Sequence, residues 1–311
     1  AIEGVNTVQV RQTDLGGNVS ASTSLTFTLD TQAAAPAVAL TTDTGQSATD
    51  GITSKGSLTV SGVESKASVQ YSIDGGKTWT ASFTAVEGAN SVQVRQTDVA
   101  GNVSAATTYA FTLDTKVPAT PGVALAADTG AKNNDLVTSN GALSLTGIEA
   151  KAVVEYSIDA GKTWATSFSP VEGKNTVQVR QTDVAGNVSA AKSITYTLDT
   201  QVATPSVSLA SDTGASATDR ITSKGGLSLG GVESGATVEY SINDGKSWSA
   251  SFTAVEGANA VRARQTDLAG NVSSPSDAFQ FTLDTKAPAA PGIALTSDTG
   301  VSSTDRRSDR K

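Results

Sequence analysis

The sequence predicts an all-β chain of tandem sandwiches, and three observations predict it. Sequence markers recur on one fixed period, the signature of a repeat array. Within the period, short segments alternate apolar and polar residues, as half-buried strands do. Turn residues punctuate those segments every 8–12 positions, and no stretch carries a 3.6-residue helical period.

The period is read from four independent markers. Gln-Thr-Asp followed by Gly-Asn-Val-Ser recurs with its Asp at 14, 98, 183 and 267, and Thr-Leu-Asp-Thr with its Asp at 30, 114, 199 and 284. Asp-Thr-Gly begins at 43, 128, 212 and 298, and Trp stands at 79, 164 and 248. Every step is 84, 85 or 86 residues. The 311 residues therefore divide into a C-terminal part of a repeat (1–30), three whole repeats (31–114, 115–199 and 200–284), and the truncated start of a further one (285–311). That last segment breaks pattern at Arg306-Arg307-Ser308-Asp309-Arg310-Lys311, an atypical basic tail that reads as a fragment end or an appendage. Neither partial repeat is expected to close a core alone.

Each element has a local reason. In 31–114, Ala37-Val38-Ala39-Leu40 reads as strand A, and Ser57-Leu58-Thr59-Val60-Ser61 alternates as strand B. Val69-Gln70-Tyr71-Ser72-Ile73 is C; Gly75-Gly76 is a two-residue hairpin signal; Lys77-Thr78-Trp79-Thr80 returns as C′. Ser82-Phe83-Thr84-Ala85-Val86 is expected as E, Val92-Gln93-Val94-Arg95 as F and Ala110-Phe111-Thr112-Leu113 as G. Seven short strands indicate tandem immunoglobulin-like β-sandwiches. Without the cysteine pair of antibody domains, Val, Leu, Tyr71, Trp79 and Phe83 are expected to fill the space between sheets. Solenoid units run roughly 20–45 residues, so repeats of this length are instead self-contained beads. Pro118 and Pro121, and Pro288 and Pro291, stiffen the linkers by fixing φ.

Composition excludes several chemistries. With no Cys there are no disulfides, thiolate zinc sites, iron–sulfur clusters or thiol nucleophiles, and with no His no Ser-His-Asp triad. A metal would have to be held by oxygen, which favours hard cations. The chain carries a net −8, of which the final eleven residues contribute +2, leaving −10 on residues 1–300. An acidic body with 5% aromatics argues against nucleic acid. No apolar run approaches membrane-spanning length, and Ala1-Ile2-Glu3-Gly4 does not open a signal peptide.

Topology places the acidic residues at the joints. The A–B and E–F loops should lie at the C-terminal end of a repeat, and the B–C and F–G loops at the N-terminal end. One joint then gathers Asp43, Asp50, Glu87 and Asp114 against Glu149, Asp183 and Asn187 of the next repeat. The following joint gathers Asp128, Asp135, Glu172 and Asp199 against Glu233, Asp267 and Asn271. Such clusters repel unless a cation sits among them, and calcium takes six to eight oxygens of these kinds. Asp-Thr-Gly and Asp-x-Ala-Gly-Asn are equally ordinary turn signals, because Asp and Asn bond their own backbone. Nothing matches an EF-hand loop.

Three further motifs read as structural. Ser72-Ile73-Asp74-Gly75-Gly76-Lys77-Thr78-Trp79 and Ser157-Ile158-Asp159-Ala160-Gly161-Lys162-Thr163-Trp164 resemble the Asp-box of sialidase-type propellers. The third repeat departs from it with Asn243 and Ser247. The period is wrong for propeller blades and an arginine cluster for an acidic sugar is missing, so the motif is expected as a folded hairpin with its Trp packed inward. Asn18, Asn102, Asn187 and Asn271 stand in Asn-Val-Ser sequons that coincide with the F–G turn. Arg11, Arg95, Arg180 and Arg264 should point outward and pair with neighbouring carboxylates.

The linkers Thr-Leu-Asp-Thr-x-x-Pro-x-x-Pro and the turns Thr-Asp-x-Ala-Gly-Asn-x-Ser make the chain similar to the bacterial Ig-like tandem repeats of giant surface adhesins. Those include the repeats-in-toxin and biofilm-associated types exported by type I secretion. Gly16, in place of Ala, and Gln201-Val202-Ala203, lacking the first linker Pro, depart from the pattern. The resemblance implies an extracellular or cell-surface extender without enzymatic activity. It implies calcium at inter-domain junctions, at Asp114, Asp199, Asp183 and Asp267 among the positions that match. Its partners would be calcium ions and neighbouring repeats of the chain, with a host-surface or biofilm-matrix ligand met by other regions. Near-identical repeats would let recombination adjust length, each adding roughly 40 Å if strands of ~3.3 Å per residue align with the array. The alternative is a ligand-binding module that recognises a glycan or protein directly, which an exposed aromatic or deep groove would favour. A sialidase-type hydrolase ranks third.

Overall fold

A computed structural model describes residues 1–296, 302, 304 and 306. The basic tail at 307–311 and the Asp298 marker lie outside the described residues. The chain forms two compact units, one of residues 1–127 and 141–198, the other of residues 128–140 and 199–311.

The described structure is all-β, and the expected tandem Ig-like sandwiches are present. In the first unit, Gly4–Val10 (β1) and Thr23–Leu29 (β2) form an antiparallel hairpin. Val5, Val8, Val10, Leu25 and Phe27 are exposed on it.

The first whole repeat starts with Ala37–Leu40 (β3), Ile52–Thr53 (β4), Leu58–Ser61 (β5) and Ser68–Ser72 (β6). It ends with Gly88–Thr97 (β7) and Thr107–Leu113 (β8). One sheet pairs β3 with β5, and the other runs β4-β8-β7-β6. All pairs are antiparallel except β4–β8, which is parallel with Ile52 opposite Thr112. The second repeat continues with Gly122–Leu125 (β9), Val137–Thr138 (β10, in the second unit), Leu143–Thr146 (β11), Val153–Ser157 (β12), Gly173–Thr182 (β13) and Lys192–Leu198 (β14).

The third repeat, in the second unit, comprises Ser206–Leu209 (β15), Ile221–Thr222 (β16), Leu227–Gly230 (β17), Thr237–Ser241 (β18), Gly257–Thr266 (β19) and Phe279–Leu283 (β20). Its sheets are β15-β17 and β16-β20-β19-β18.

The core lies where alternation placed it. In β7 and β8, Val92, Val94, Phe111 and Leu113 are buried, and every second residue between them is not. Val177, Val179, Tyr196 and Leu198 do the same in the second repeat, against half-buried Val123, Leu125, Leu143, Leu145, Tyr156 and Phe168. Val261, Ala263, Phe281 and Leu283 do so in the third.

Three expectations change. Strand E at Ser82–Val86 is a loop. Asn90, the third residue of β7, accepts from the Val86 amide at 2.9 Å and donates to the Val86 and Gly88 carbonyls at 2.7 and 2.9 Å. A side chain thus supplies the bonds a neighbouring strand would have made, while Phe83 still reaches the core beside Tyr71 and Phe111, 6.4 and 6.3 Å between ring centroids. Strand C′ shrinks to one bridge, Thr80 with Tyr71, and an unforeseen short strand appears at Ile52–Thr53. Trp79 does not fill the space between sheets. It lies half-buried outside, with the Arg95 guanidinium 4.0 Å above its ring. Trp164 and Trp248 lie likewise beneath Arg180 and Arg264, at 4.0 and 4.4 Å. Guanidinium stacking, a favourable cation–π contact, lets both groups keep solvent at their edges.

Candidate functional site

Consecutive repeats meet through three devices, the first two at all three joints and the third at two of them, and all contacts given below fall within one compact unit. The first is the F–G turn. Asp183 accepts from the Asn187 amide and side chain at 2.8 and 2.9 Å, and Asn187 Nδ2 also donates to the carbonyl of Asp114, the last residue of the preceding repeat, at 2.8 Å. Asn271 does this for Asp267 and the Asp199 carbonyl, and Asn102 for Asp98 and the Asp30 carbonyl. The sequon asparagines Asn102, Asn187 and Asn271 are therefore consumed in the joints. Burial pushes the Asp98 carboxyl up, but the Asn102 side chain and the turn amides outweigh it and hold it below the ordinary 3.8.

The second device pins the linker. Gln96, fully buried, accepts from the Glu64 amide at 2.8 Å and donates to the Ala34 and Gly62 carbonyls at 2.7 and 3.1 Å. Glu64 in turn accepts from the Ala34 amide at 2.9 Å. Gln265 with Glu233 holds Ala203 in the same way. Gln181 holds Ala119 by its carbonyl, while the Glu149 side chain is exposed.

The third device is a loop-on-turn contact. Thr44 Oγ1 donates to the Ala185 carbonyl at 2.6 Å, and Thr129 Oγ1 to the Ala269 carbonyl at 2.5 Å. Gly45 lies on Gly186 and Gly130 on Gly270; a Cβ on Gly186 or Gly270 would stand 2.9 Å from the facing glycine nitrogen. All four glycines have positive φ, so a side chain is excluded both by conformation and by the neighbour.

These devices gather carboxylates. Asp199, Glu233 and Asp267 present oxygens within 4.8 Å of one another, as do Asp30, Glu64 and Asp98; among the described residues these are the groups that form. The structure thus brings together Asp199, Glu233 and Asp267, with Asn271 as their clamp. Asp114, Glu149 and Asp183 do not gather in this way, although Asn187 still grips Asp114. The group at Asp30, Glu64 and Asp98 was missed because the partial repeat was set aside, yet the period maps each of its members onto the other group.

The remaining acidic residues serve their own loops. Asp50 and Asp135 cap the amides of Ile52 and Val137 at 2.9 and 3.1 Å. Glu87 accepts from the Thr115 hydroxyl at 2.8 Å, which holds its carboxyl below the usual range, and Glu172 is exposed. Asp43 and Asp128 accept from the Gly51 and Leu136 amides at 2.9 and 3.0 Å through Oδ2, while their Oδ1 atoms are buried without a hydrogen-bond partner. Asp212, which the spacing argument did not single out, has the same orphaned oxygen. A buried carboxylate oxygen without a donor is costly, and it recurs at one position of all three repeats.

The Asp-box hairpin is a closed polar knot. Asp74 accepts from the Thr78 hydroxyl at 2.6 Å, the Thr78 amide at 2.9 Å, Ser72 Oγ at 2.8 Å and the Lys77 amide at 3.0 Å. These bonds, led by the Thr78 hydroxyl, lower its pKa to about 2; Asp159 is lowered to about 2 likewise. All four donors belong to its own hairpin.

The BNR/Asp-box repeat family matches residues 70–81, the hairpin around Asp74. No curated protein matches the sequence. Among solved structures, the fibronectin(III)-like modules of Clostridium thermocellum CbhA align over 45% of this chain and 83% of theirs, at 17% identity and a TM-score of 0.28. The chain is a tandem array of β-sandwich modules that carries an Asp-box hairpin.

Proposed function

We propose that the chain is an extender segment of a secreted or cell-surface bacterial adhesin, a module without catalytic activity, whose joints bind calcium. The observation that carries this reading is the joint itself: the clamp and the linker pin recur at all three joints, the glycine contact at two, and at two of them carboxylates are gathered. A surface built to recognise a ligand would spend its specific contacts outward; here they are spent between repeats.

The donor set fits a hard cation. Asp199, Glu233 and Asp267 offer carboxylate oxygens of the kind calcium takes, and Asp30, Glu64 and Asp98 offer the same. The orphaned Oδ1 atoms of Asp43, Asp128 and Asp212 are further oxygens that a cation would satisfy. Calcium bound there would cancel the repulsion among carboxylates and fix the linker against both neighbours.

Small-angle scattering of the intact chain, with calcium and with chelator, tests this. Calcium should lengthen and stiffen the particle. If the sites have the affinity of extracellular modules, about 10⁻⁴–10⁻³ M, saturating calcium at 10–100 times that constant should add roughly 1.4–2.7 kcal/mol per site and raise the melting temperature. An unchanged profile with no calcium-dependent melting shift would remove calcium from the joints.

A further inference from the structure

The joints are of two kinds, and they differ in what holds the B–C loop. At the joints after Asp30 and after Asp199, the glutamate of that loop holds it. Glu64 accepts from the Ala34 amide at 2.9 Å and Glu233 from the Ala203 amide at 2.7 Å, and each stands in a group of three carboxylates. At the middle joint, after Asp114, Glu149 is exposed. Among the described residues Asp114, Glu149 and Asp183 form no such group.

The linker differs at the same place. Its two ends are pinned alike in every joint: Asn102, Asn187 and Asn271 donate to the carbonyls of Asp30, Asp114 and Asp199, and Gln96, Gln181 and Gln265 to those of Ala34, Ala119 and Ala203. Between the pins stand three residues in the outer two joints and four, Thr115-Lys116-Val117-Pro118, in the middle one. The additional residue must fit between two fixed points, so the chain reaches Ala119 by a different path and Glu149 does not take up its amide.

The B–C loop of the middle joint is held from the other side instead. Gln46, in the A–B loop of the preceding repeat, donates through Nε2 to the Lys151 carbonyl at 2.7 Å and through its backbone amide to the Val184 carbonyl at 3.4 Å. The following joint cannot copy the side-chain bond, because Ala131 stands where Gln46 does. A neutral amide thus does across the middle joint what a carboxylate does in the other two. Positive charge is also at hand. The Thr115 hydroxyl first, and the nearby Lys116 as well, hold the Glu87 carboxyl of this joint below its usual range. At the following joint Gln201 stands in place of Lys116.

We infer that the middle joint is locked by bonds within the protein alone and needs no cation, and that Gln46 is the residue that locks it. The array then carries a permanent joint at 114–119 with cation-dependent ones beside it. That contrast rests on the calcium reading of the outer joints; the independence of the middle joint does not.

Cleavage of the intact chain after Lys116 by a lysine-specific protease that needs no calcium, followed by mass spectrometry, tests it. Lys116 lies between the two pins, so its cleavage tracks opening of this joint. The rate should be the same in chelator and in saturating calcium. Gln46→Ala removes one hydrogen bond and should raise it roughly twofold to tenfold in chelator. Thr49→Ala, on the same loop, should leave it unchanged. Cleavage that chelator speeds and calcium suppresses, or a Gln46→Ala chain cut no faster than wild type, would overturn the inference. Calorimetric titration of the same chain with calcium keeps the two readings apart. No heat of binding, together with slow cleavage in chelator, would remove calcium from the outer joints and leave the middle joint as inferred.

Discussion

Gln96, Gln181 and Gln265 are fully buried on a strand whose other inward residues are Val or Ala apart from the Asn near its start. Period-2 alternation located the inward face of that strand but could not say that one inward position would hold an amide, because a repeated Arg-Gln-Thr-Asp reads simply as polar. The amide is there to serve backbone that no strand pairs: the linker carbonyl, the Gly62 carbonyl and the Glu64 amide. Gln96→Leu would keep the volume and leave these groups buried and unpaired, at about 1–3 kcal/mol for each one left unsatisfied. Calorimetry should show the first whole repeat losing on the order of 3 kcal/mol or more, and Gln96→Glu, which turns the donor facing two carbonyls into a buried carboxylate oxygen, losing at least as much. Trp79 illustrates the opposite error. A large aromatic residue is a core residue by default, and only the geometry shows that an outward Arg two strands away supplies its other face.

At the level of the element, the sequence made the hairpins, the F and G strands and the A–B sheet legible, since each rests on local alternation and turn chemistry. Strand E was not legible. Ser82–Val86 has a strand's alternation, and what prevents pairing is Asn90, a residue outside it that satisfies the same backbone groups. The Asp-box hairpin has a pH signature. The folded carboxyls of Asp74 and Asp159 titrate near about 2, below the ordinary 3.8. A depressed carboxyl contributes stability above its unfolded pKa and loses it as pH falls toward the folded one. The first two hairpins should therefore loosen between about pH 4 and 2. In the third repeat Asn243 replaces the carboxylate, accepting from the Ser247 amide at 2.9 Å and donating to its hydroxyl at 2.7 Å, so that hairpin lacks this titration. Amide exchange or NMR followed from pH 5 to 2 should show Thr78 and Thr163 losing protection while Ser247 holds; simultaneous loss at all three would contradict the assignment.

Across the whole chain, the period and the side of each repeat on which its loops fall were readable, because topology alone decides that A–B loops face F–G turns. Which acidic residues would meet was only partly readable. Spacing grouped seven residues per joint, whereas geometry gathers three at the second of these joints only and assigns Asp50 and Asp135 to capping their own loops. The glycine contact carried no signal beyond ordinary turn chemistry, since Gly in Asp-Thr-Gly and in Ala-Gly-Asn is explained by φ alone. It makes a controlled comparison possible. Gly186→Ala and Gly101→Ala impose the same left-handed strain, roughly 1–2 kcal/mol, but only Gly186 faces a neighbouring loop. Tryptic cleavage after the linker residue Lys116 should rise on the order of tenfold in the first variant, the equivalent of about 1.4 kcal/mol of joint opening, and stay unchanged in the second.

The short parallel pair of β4 with β8 has a consequence under load. Thr112 donates to the Gly51 carbonyl at 2.8 Å and Asp114 to the Thr53 carbonyl at 2.9 Å, and Asp284 donates to the Thr222 carbonyl at 2.9 Å in the third repeat. The residue that passes the chain to the next linker is thus tied sideways to a strand near the start of its own repeat. Tension applied along the chain meets those bonds across their length, so they must give way together and not one after another from an end. A hairpin pulled at its open end unzips at the cost of one bond at a time. A repeat fastened in shear resists until the whole set fails, and each repeat would then act as a separate link that yields abruptly and can re-form when the pull relaxes.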